Sequence, residues 1–153
     1  MRDFSTQISL QITTVFGIGR LPVGPGTWGS LAAMALVFGF YPENLWLQLM
    51  WVVIATLLGF IAIPKTLTHL KEKDPSAVVI DEVAGMFLVY VGIPNLNIGW
   101  LVLGLIFFRV FDISKPWLVG KADQMSGGLG IMLDDLVAGL FANVLLQIVT
   151  RVF

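Results

Sequence analysis

From Leu45 to Ile63 the chain runs nineteen residues without a charge and then meets Pro64. About 20 apolar residues, at about 1.5 Å of helix each, span the roughly 30 Å hydrocarbon core of a bilayer. Inside lipid every backbone N–H and C=O must be paired within the protein, and a lone segment achieves that only as a helix. This run therefore predicts an integral membrane protein of the all-α class. Composition agrees: 57% of the residues are hydrophobic and 12% charged, against about 25% charged in soluble domains, and the mean hydropathy is +0.88. The length of 153 residues fits one domain spanning 1–153.

Shorter apolar runs follow the same logic: Leu31 to Tyr41, Val83 to Ile93, Ile98 to Phe108 and Leu136 to Thr150. Three of them approach spanning length only when extended through flanking acids, as Ala77 to Ile93, Ile98 to Ile113 and Ile131 to Thr150. Thr27 to Tyr41 either spans or enters and turns back. The expected architecture is a polytopic bundle of four to five transmembrane or re-entrant helices. Phe4, Ile8, Ile12, Val15 and Phe16 fall at helical spacing, which fits either an N-terminal interfacial helix or a plain buried one. Pro42-Glu43-Asn44 and Pro94-Asn95-Leu96-Asn97 read as short turns without Lys or Arg. The other connections carry Arg2, Arg20, Lys65, Lys71, Lys73, Lys115 and Lys121, and only Arg151 falls opposite. Seven against one predicts that the long connections face the cytoplasm.

That topology gathers the carboxylates. Asp81-Glu82 opens one helix, Asp112 closes the next and Asp134-Asp135 opens the last, all at the cytoplasmic end. A carboxylate at a membrane boundary costs free energy, so such residues are candidates for function. Acids in a first helical turn also compensate the helix dipole; recurrence on three helices favours the functional reading. Asp74, just before Pro75, reads as a turn residue.

Arg109, Asp112 and Lys115 recur every third residue and share a helix face. An internal ion pair with a snorkelling lysine explains them. So does a ladder in which Arg109 or Lys115 meets phosphate oxygens and Asp112 holds a metal ion, since guanidinium binds two oxygens at once. Pro116 stops the helix behind Lys115. Gly127-Gly128-Leu129-Gly130 before Asp134-Asp135 is a glycine turn that can expose backbone N–H groups to an anion, or simply a turn. Thr27 and Ser30, in Pro25-Gly26-Thr27-Trp28-Gly29-Ser30, can cap a helix or donate to phosphate.

No cysteine is present, there is one histidine (His69), and the net charge is −1. Disulfides, thiolate chemistry and nucleic acid as a partner are thereby set aside. Oxygen ligands without thiolate or paired imidazole point to Mg²⁺ or a similar hard ion. Together with cationic side chains they point to phosphate chemistry at a membrane surface.

Four blocks carry a resemblance: Pro25 to Ser30; Asp74-Pro75 with Val79 to Gly85; Phe108 to Pro116; and Gly127 to Gly139. In this order and spacing the chain, from about residue 14 onward, resembles the phosphatidylglycerophosphatase A family. Leu118 stands where a second proline often follows, and Ser126 where some members carry histidine. The resemblance implies a Mg²⁺-dependent lipid phosphatase of the bacterial inner membrane. Its substrate would be phosphatidylglycerophosphate and its products phosphatidylglycerol and inorganic phosphate. It implies Asp81, Glu82, Asp112, Asp134 and Asp135 as catalytic carboxylates, with Asp81, Glu82, Asp134 and Asp135 on the metal. Arg109, Lys115, Thr27, Ser30, Gly127 and Gly128 would lie near the phosphate. Water attack is favoured over an aspartyl-phosphate because no DxDx[TV] pattern occurs. The rival class is a cation transporter or channel lined by the membrane-edge acids, and a homodimer is a further expectation.

Overall fold

The computed structural model describes residues 3–152; Arg2, counted above among the cytoplasmic charges, lies outside them. Those residues form seven α-helices and no strand: α1 (Phe4–Thr13), α2 (Pro25–Phe40), α3 (Leu45–Leu70), α4 (Ile80–Val89), α5 (Ile98–Ser114), α6 (Leu118–Asp123) and α7 (Gly128–Val152). A 3₁₀ turn at Ile18–Arg20 joins α1 to α2. Asn44 and Asn97 cap α3 and α5, each accepting two backbone N–H bonds, so the two predicted turns end where asparagine satisfies the first amides.

Large apolar side chains point outward in helical stripes. On α5 these are Ile98, Val102, Ile106, Val110 and Ile113; on α7, Leu140, Val144, Ile148 and Val152; on α3, Trp46, Met50, Ile54, Leu57 and Ile61. In water such surfaces would be a liability, and in lipid they are the solvent-facing side of the fold. Helices α3 and α7 are long and apolar enough to cross a membrane. The structure is thus the all-α membrane bundle that the apolar runs predict.

Three boundaries differ from the sequence reading. Helix α3 passes through Pro64 and continues to Leu70; the side-chain-free Gly128 lies against Ile63 and Pro64 at this level. Helix α7 begins at Gly128, so Asp134 and Asp135 lie two turns inside it and do not open it. The run from Ala77 to Ile93 yields only the ten residues of α4, about 15 Å of helix, half of a crossing. Helix α1 combines the two alternatives: Ser9, Leu10 and Thr13 are buried, while Phe4 and Ile8 are exposed.

Helix α4 is the centre of the packing. Eight of its residues are buried, and it touches α2, α3, α5 and α7. Because it ends inside the bundle, its last carbonyls need donors, and neighbouring helices supply them. Tyr41 Oη donates to Phe87 O at 2.8 Å. Asn143 Nδ2 donates to Val89 O at 2.8 Å and Val91 O at 2.9 Å, and Gln147 Nε2 donates to Val91 O at 2.9 Å. Gln48 Oε1 accepts from Gly92 N at 2.9 Å. At the other end, Val79 N donates to Thr13 O at 2.8 Å, fixing the strap before α4 to the end of α1.

Candidate metal and phosphate site

Two glycines bring α4 against α7. A Cβ on Gly85 would stand 2.7 Å from Asp135 O, and one on Gly139 only 2.5 Å from Gly85 O. Real Cβ atoms do not approach so closely, so this backbone-to-backbone crossing needs glycine at both places. The crossing carries the first turn of α4 to the acidic turn of α7. There the carboxylates of Asp81, Glu82 and Asp135 each present an oxygen within 4.8 Å of the others. Oxygens on opposite sides of one hard ion, each about 2.1 to 2.4 Å from it, stand about 4.2 to 4.8 Å apart.

The buried oxygens Asp81 Oδ1 and Glu82 Oε2 have no protein hydrogen-bond partner. A buried unpaired carboxylate is costly, and a divalent cation is the partner that three converging carboxylates fit. No cysteine or imidazole joins them, so the ligand atoms on offer are all carboxylate oxygens, the donors that hard ions favour.

Cations stand among the carboxylates. Arg109 Nη1 donates to Asp112 Oδ2 at 2.6 Å across one turn of α5, and it stands 3.3 Å from the position a Cβ on Gly26 would take. Lys115 caps α5 in the left-handed region, φ 44°, which swings its ammonium back to α6 and α7. Its Nζ donates to Asp134 Oδ2 at 2.9 Å and also binds Asp123. Burial disfavours the ammonium charge, but the hydrogen bonds to Asp123 and Asp134 outweigh it and hold the Lys115 pKa above its ordinary value. Asp134 Oδ1 accepts the backbone N–H of Asp135 at 3.1 Å.

These residues enclose a cavity of about 220 Å³, lined by Pro25, Gly26, Asp74, Pro75, Ser76 and Val78 of the strap, Asp81, Glu82, Arg109, Asp112, Lys115, Asp134 and Asp135. A second cavity of about 470 Å³ shares Asp74, Asp81 and Asp134 with it and extends to Leu67, Lys73, Gly127 and Ile131.

Seven of the predicted residues thus meet in one place: Asp81, Glu82, Arg109, Asp112, Lys115, Asp134 and Asp135. Both acids of the Asp81-Glu82 pair face it. Asp134, expected on the metal, is tied to Lys115, and Asp112 to Arg109, so neither belongs to the three-carboxylate cluster. Thr27 and Ser30 are not part of either cavity lining. Helix α2 is capped by Gly24 without a side-chain bond, and Ser30 Oγ donates to Gly26 O at 2.8 Å. Gly127 reaches only the adjoining cavity, while Gly128 packs on α3.

Two residues were missed. Asp74, read as a turn residue, lines both cavities. Gly26 lies so close to Glu82 Oε1 that a Cβ would overlap it; the signal was a glycine directly after the proline that starts α2. The acids gather at one end of the bundle and do not line a path through it, which is unlike a conduction pathway.

Residues 11–150 match the family described as phosphatidylglycerophosphatase A. Relatives named phosphatidylglycerophosphatase A are 36% identical in Haemophilus influenzae, covering 83% of this chain and 79% of the relative, and 34% identical in Escherichia coli, covering 83% and 74%. A Bacteroides thetaiotaomicron relative, provisionally named phosphatidylinositol-3-phosphatase, is 35% identical over 90% of each chain. No solved structure matches. With four signature blocks meeting in one cavity, and relatives this similar over most of its length, the chain belongs to the phosphatidylglycerophosphatase A family.

Proposed function

We propose that the chain removes the terminal phosphate of phosphatidylglycerophosphate, giving phosphatidylglycerol and inorganic phosphate, with Mg²⁺ held by Asp81, Glu82 and Asp135. Family membership makes it a phosphoric monoester hydrolase of phospholipid metabolism. The observation that carries the reading is the convergence of those three carboxylates, two of them with unpartnered buried oxygens, in one cavity with Arg109. The site faces the cytoplasm of a bacterial inner membrane that the chain crosses several times. In support, Arg20, Lys65, Lys71, Lys73, Lys115 and Lys121 flank the carboxylate end while Arg151 flanks the other.

When bound, the ion supplies Lewis-acid polarisation of a phosphate oxygen and a more acidic water. The remaining work falls to side chains. Arg109, held in place by Asp112, offers its other N–H groups to phosphate oxygens and neutralises charge there. Lys115, oriented by Asp123 and Asp134, adds a second positive charge at the cavity wall. Water forms a new P–O bond as the bond from phosphorus to the glycerol oxygen breaks. A carboxylate of the cavity takes the water proton, and that proton passes to the departing glycerol oxygen, which leaves as the alcohol.

The test is phosphate release in detergent from phosphatidylglycerophosphate and, separately, from phosphatidylinositol 3-phosphate, with and without EDTA, for wild type and Asp135→Asn. The expected result is preference for the first lipid and loss of activity with EDTA and in the variant. Activity that survives both treatments defeats the metal-carboxylate site; faster release from the inositol lipid moves the substrate to that of the Bacteroides relative. A hydroxylamine-sensitive phosphoenzyme trapped with labelled lipid would replace water attack by an aspartyl-phosphate.

A further inference from the structure

Three bulky residues at the carboxylate end hold a backbone conformation that side chains avoid, yet bury nothing by doing so. Phe16, Val23 and Trp117 have φ of 54°, 62° and 38° and are 86%, 92% and 72% exposed. Positive φ in a β-branched or bulky residue is a true outlier, tolerated where the strain serves a purpose outside local packing. All three occupy loops at the end of the bundle where the strap before α4 is tied to Thr13 of α1. Phe16 follows α1, Val23 precedes Gly24 and the Pro25-Gly26 corner of the cavity, and Trp117 follows Lys115 and Pro116.

The composition of these loops is not that of loops in water. Leu21 is exposed beside Val23, and the charges interleaved with them are Arg20 and Lys121, both exposed. Trp28 Nε1 donates to Pro22 O at 3.4 Å, bracing the loop that projects Val23. The lipid-facing stripe of α5 runs from Ile98 to Ile113, and four residues beyond it Trp117 and Leu118 are exposed as well. Exposed apolar and indole side chains with interspersed cations suit the layer where lipid headgroups meet acyl chains.

We propose that the loops at Phe16, Val23 and Trp117 form an interfacial anchor that inserts into the lipid leaflet facing the site. The partner is a bilayer surface, and the backbone strain is retained because it turns these side chains outward into it. The anchor holds the cavity mouth level with lipid headgroups. It concerns membrane placement and stands whether or not the phosphatase reading holds.

The experiment uses the full chain with Trp117 as its one tryptophan (Trp28, Trp46, Trp51 and Trp100 replaced by Phe), in vesicles of phosphatidylcholine and phosphatidylglycerol. Lipids brominated near the headgroup are expected to quench Trp117 more strongly than lipids brominated near the acyl tip, with aqueous acrylamide ineffective. Val23→Trp in a background without other tryptophans is expected to behave alike. Strong acrylamide quenching without quenching by either brominated lipid overturns the proposal. Val23→Gly supplies a second readout: relief of the φ strain is expected to shift the thermal midpoint upward in detergent. An unchanged or lowered midpoint would show that the left-handed backbone at Val23 holds no strain to relieve and overturn the strain argument. Since quenching requires no turnover, neither result depends on which lipid is hydrolysed.

Discussion

Replacing Asn143 by leucine tests whether the half-helix α4 is held in place from its far end. The amide of Asn143 donates to Val89 O at 2.8 Å and Val91 O at 2.9 Å, and only Val91 O has a second donor, Gln147 Nε2 at 2.9 Å. In Asn143→Leu, Val89 O loses the side chain that reaches it. A buried carbonyl left without a partner costs about 1–3 kcal/mol. The lost bond to Val91 O adds about 0.6 kcal/mol, the average for interhelical hydrogen bonds in a membrane protein. The sum is about 1.6–3.6 kcal/mol, or a roughly 10- to 400-fold fall in the folded-to-unfolded ratio at about 1.4 kcal/mol per decade. Reversible unfolding in mixed micelles, followed by circular dichroism, measures it. Gln147→Leu should cost about 1 kcal/mol or less, because Asn143 still serves Val91 O. The double variant should exceed the sum of the single ones, since both donors to Val91 O are then gone. The reasoning is refuted if Asn143→Leu unfolds within about 0.5 kcal/mol of wild type, or if Gln147→Leu costs as much.

Other consequences can be checked together. Gly139→Ala, whose Cβ would press on Gly85 O, should part α4 from α7 and weaken Mg²⁺ binding, seen as loss of the Mg²⁺-induced rise in thermal midpoint while the fold persists. Asp81→Asn and Asp135→Asn should each lower kcat by about 10²–10⁴-fold with far-ultraviolet circular dichroism unchanged; wild-type activity in either would remove that residue from the site. The Lys115 pKa is raised, so its contribution to stability is complete below the ordinary lysine value and is lost only as pH rises through the raised one. Lys115→Met should therefore lower activity by a similar factor at pH 6 and at pH 9, and a strongly pH-dependent ratio would contradict the ion pair with Asp134.

Much of the site was legible because membrane sequences make charge conspicuous. Asp81, Glu82, Asp112 and Asp135 interrupt apolar runs, and the three-residue spacing of Arg109, Asp112 and Lys115 puts them on one helix face. The partner of Asp134 was hidden: Lys115 reaches it through a left-handed cap and a turn between helices, which periodicity does not encode. Likewise α4 reads as a crossing because Val83 to Ile93 is as oily as a span. What shortens it is its supply of carbonyl donors from Tyr41, Asn143 and Gln147, far away in sequence. Pro64 misleads in the opposite direction, since proline usually ends a helix and here lies inside one. Gly26 stayed unnoticed because its role is the absence of a side chain beside Glu82.

The early start of α7 at Gly128 also sets a depth. From Asp135 to Val152 that helix measures about 26 Å at about 1.5 Å per residue, nearly the roughly 30 Å of a bilayer's hydrocarbon. With its C-terminal end at the far boundary, α7 places the carboxylate of Asp135 where acyl chains give way to phosphates, and its first two turns stand among the headgroups. A phospholipid drifting sideways in its own leaflet then arrives with its phosphate already at the height of that carboxylate. The lipid need not be lifted from the membrane, and the energy of extracting its chains into water never enters the reaction.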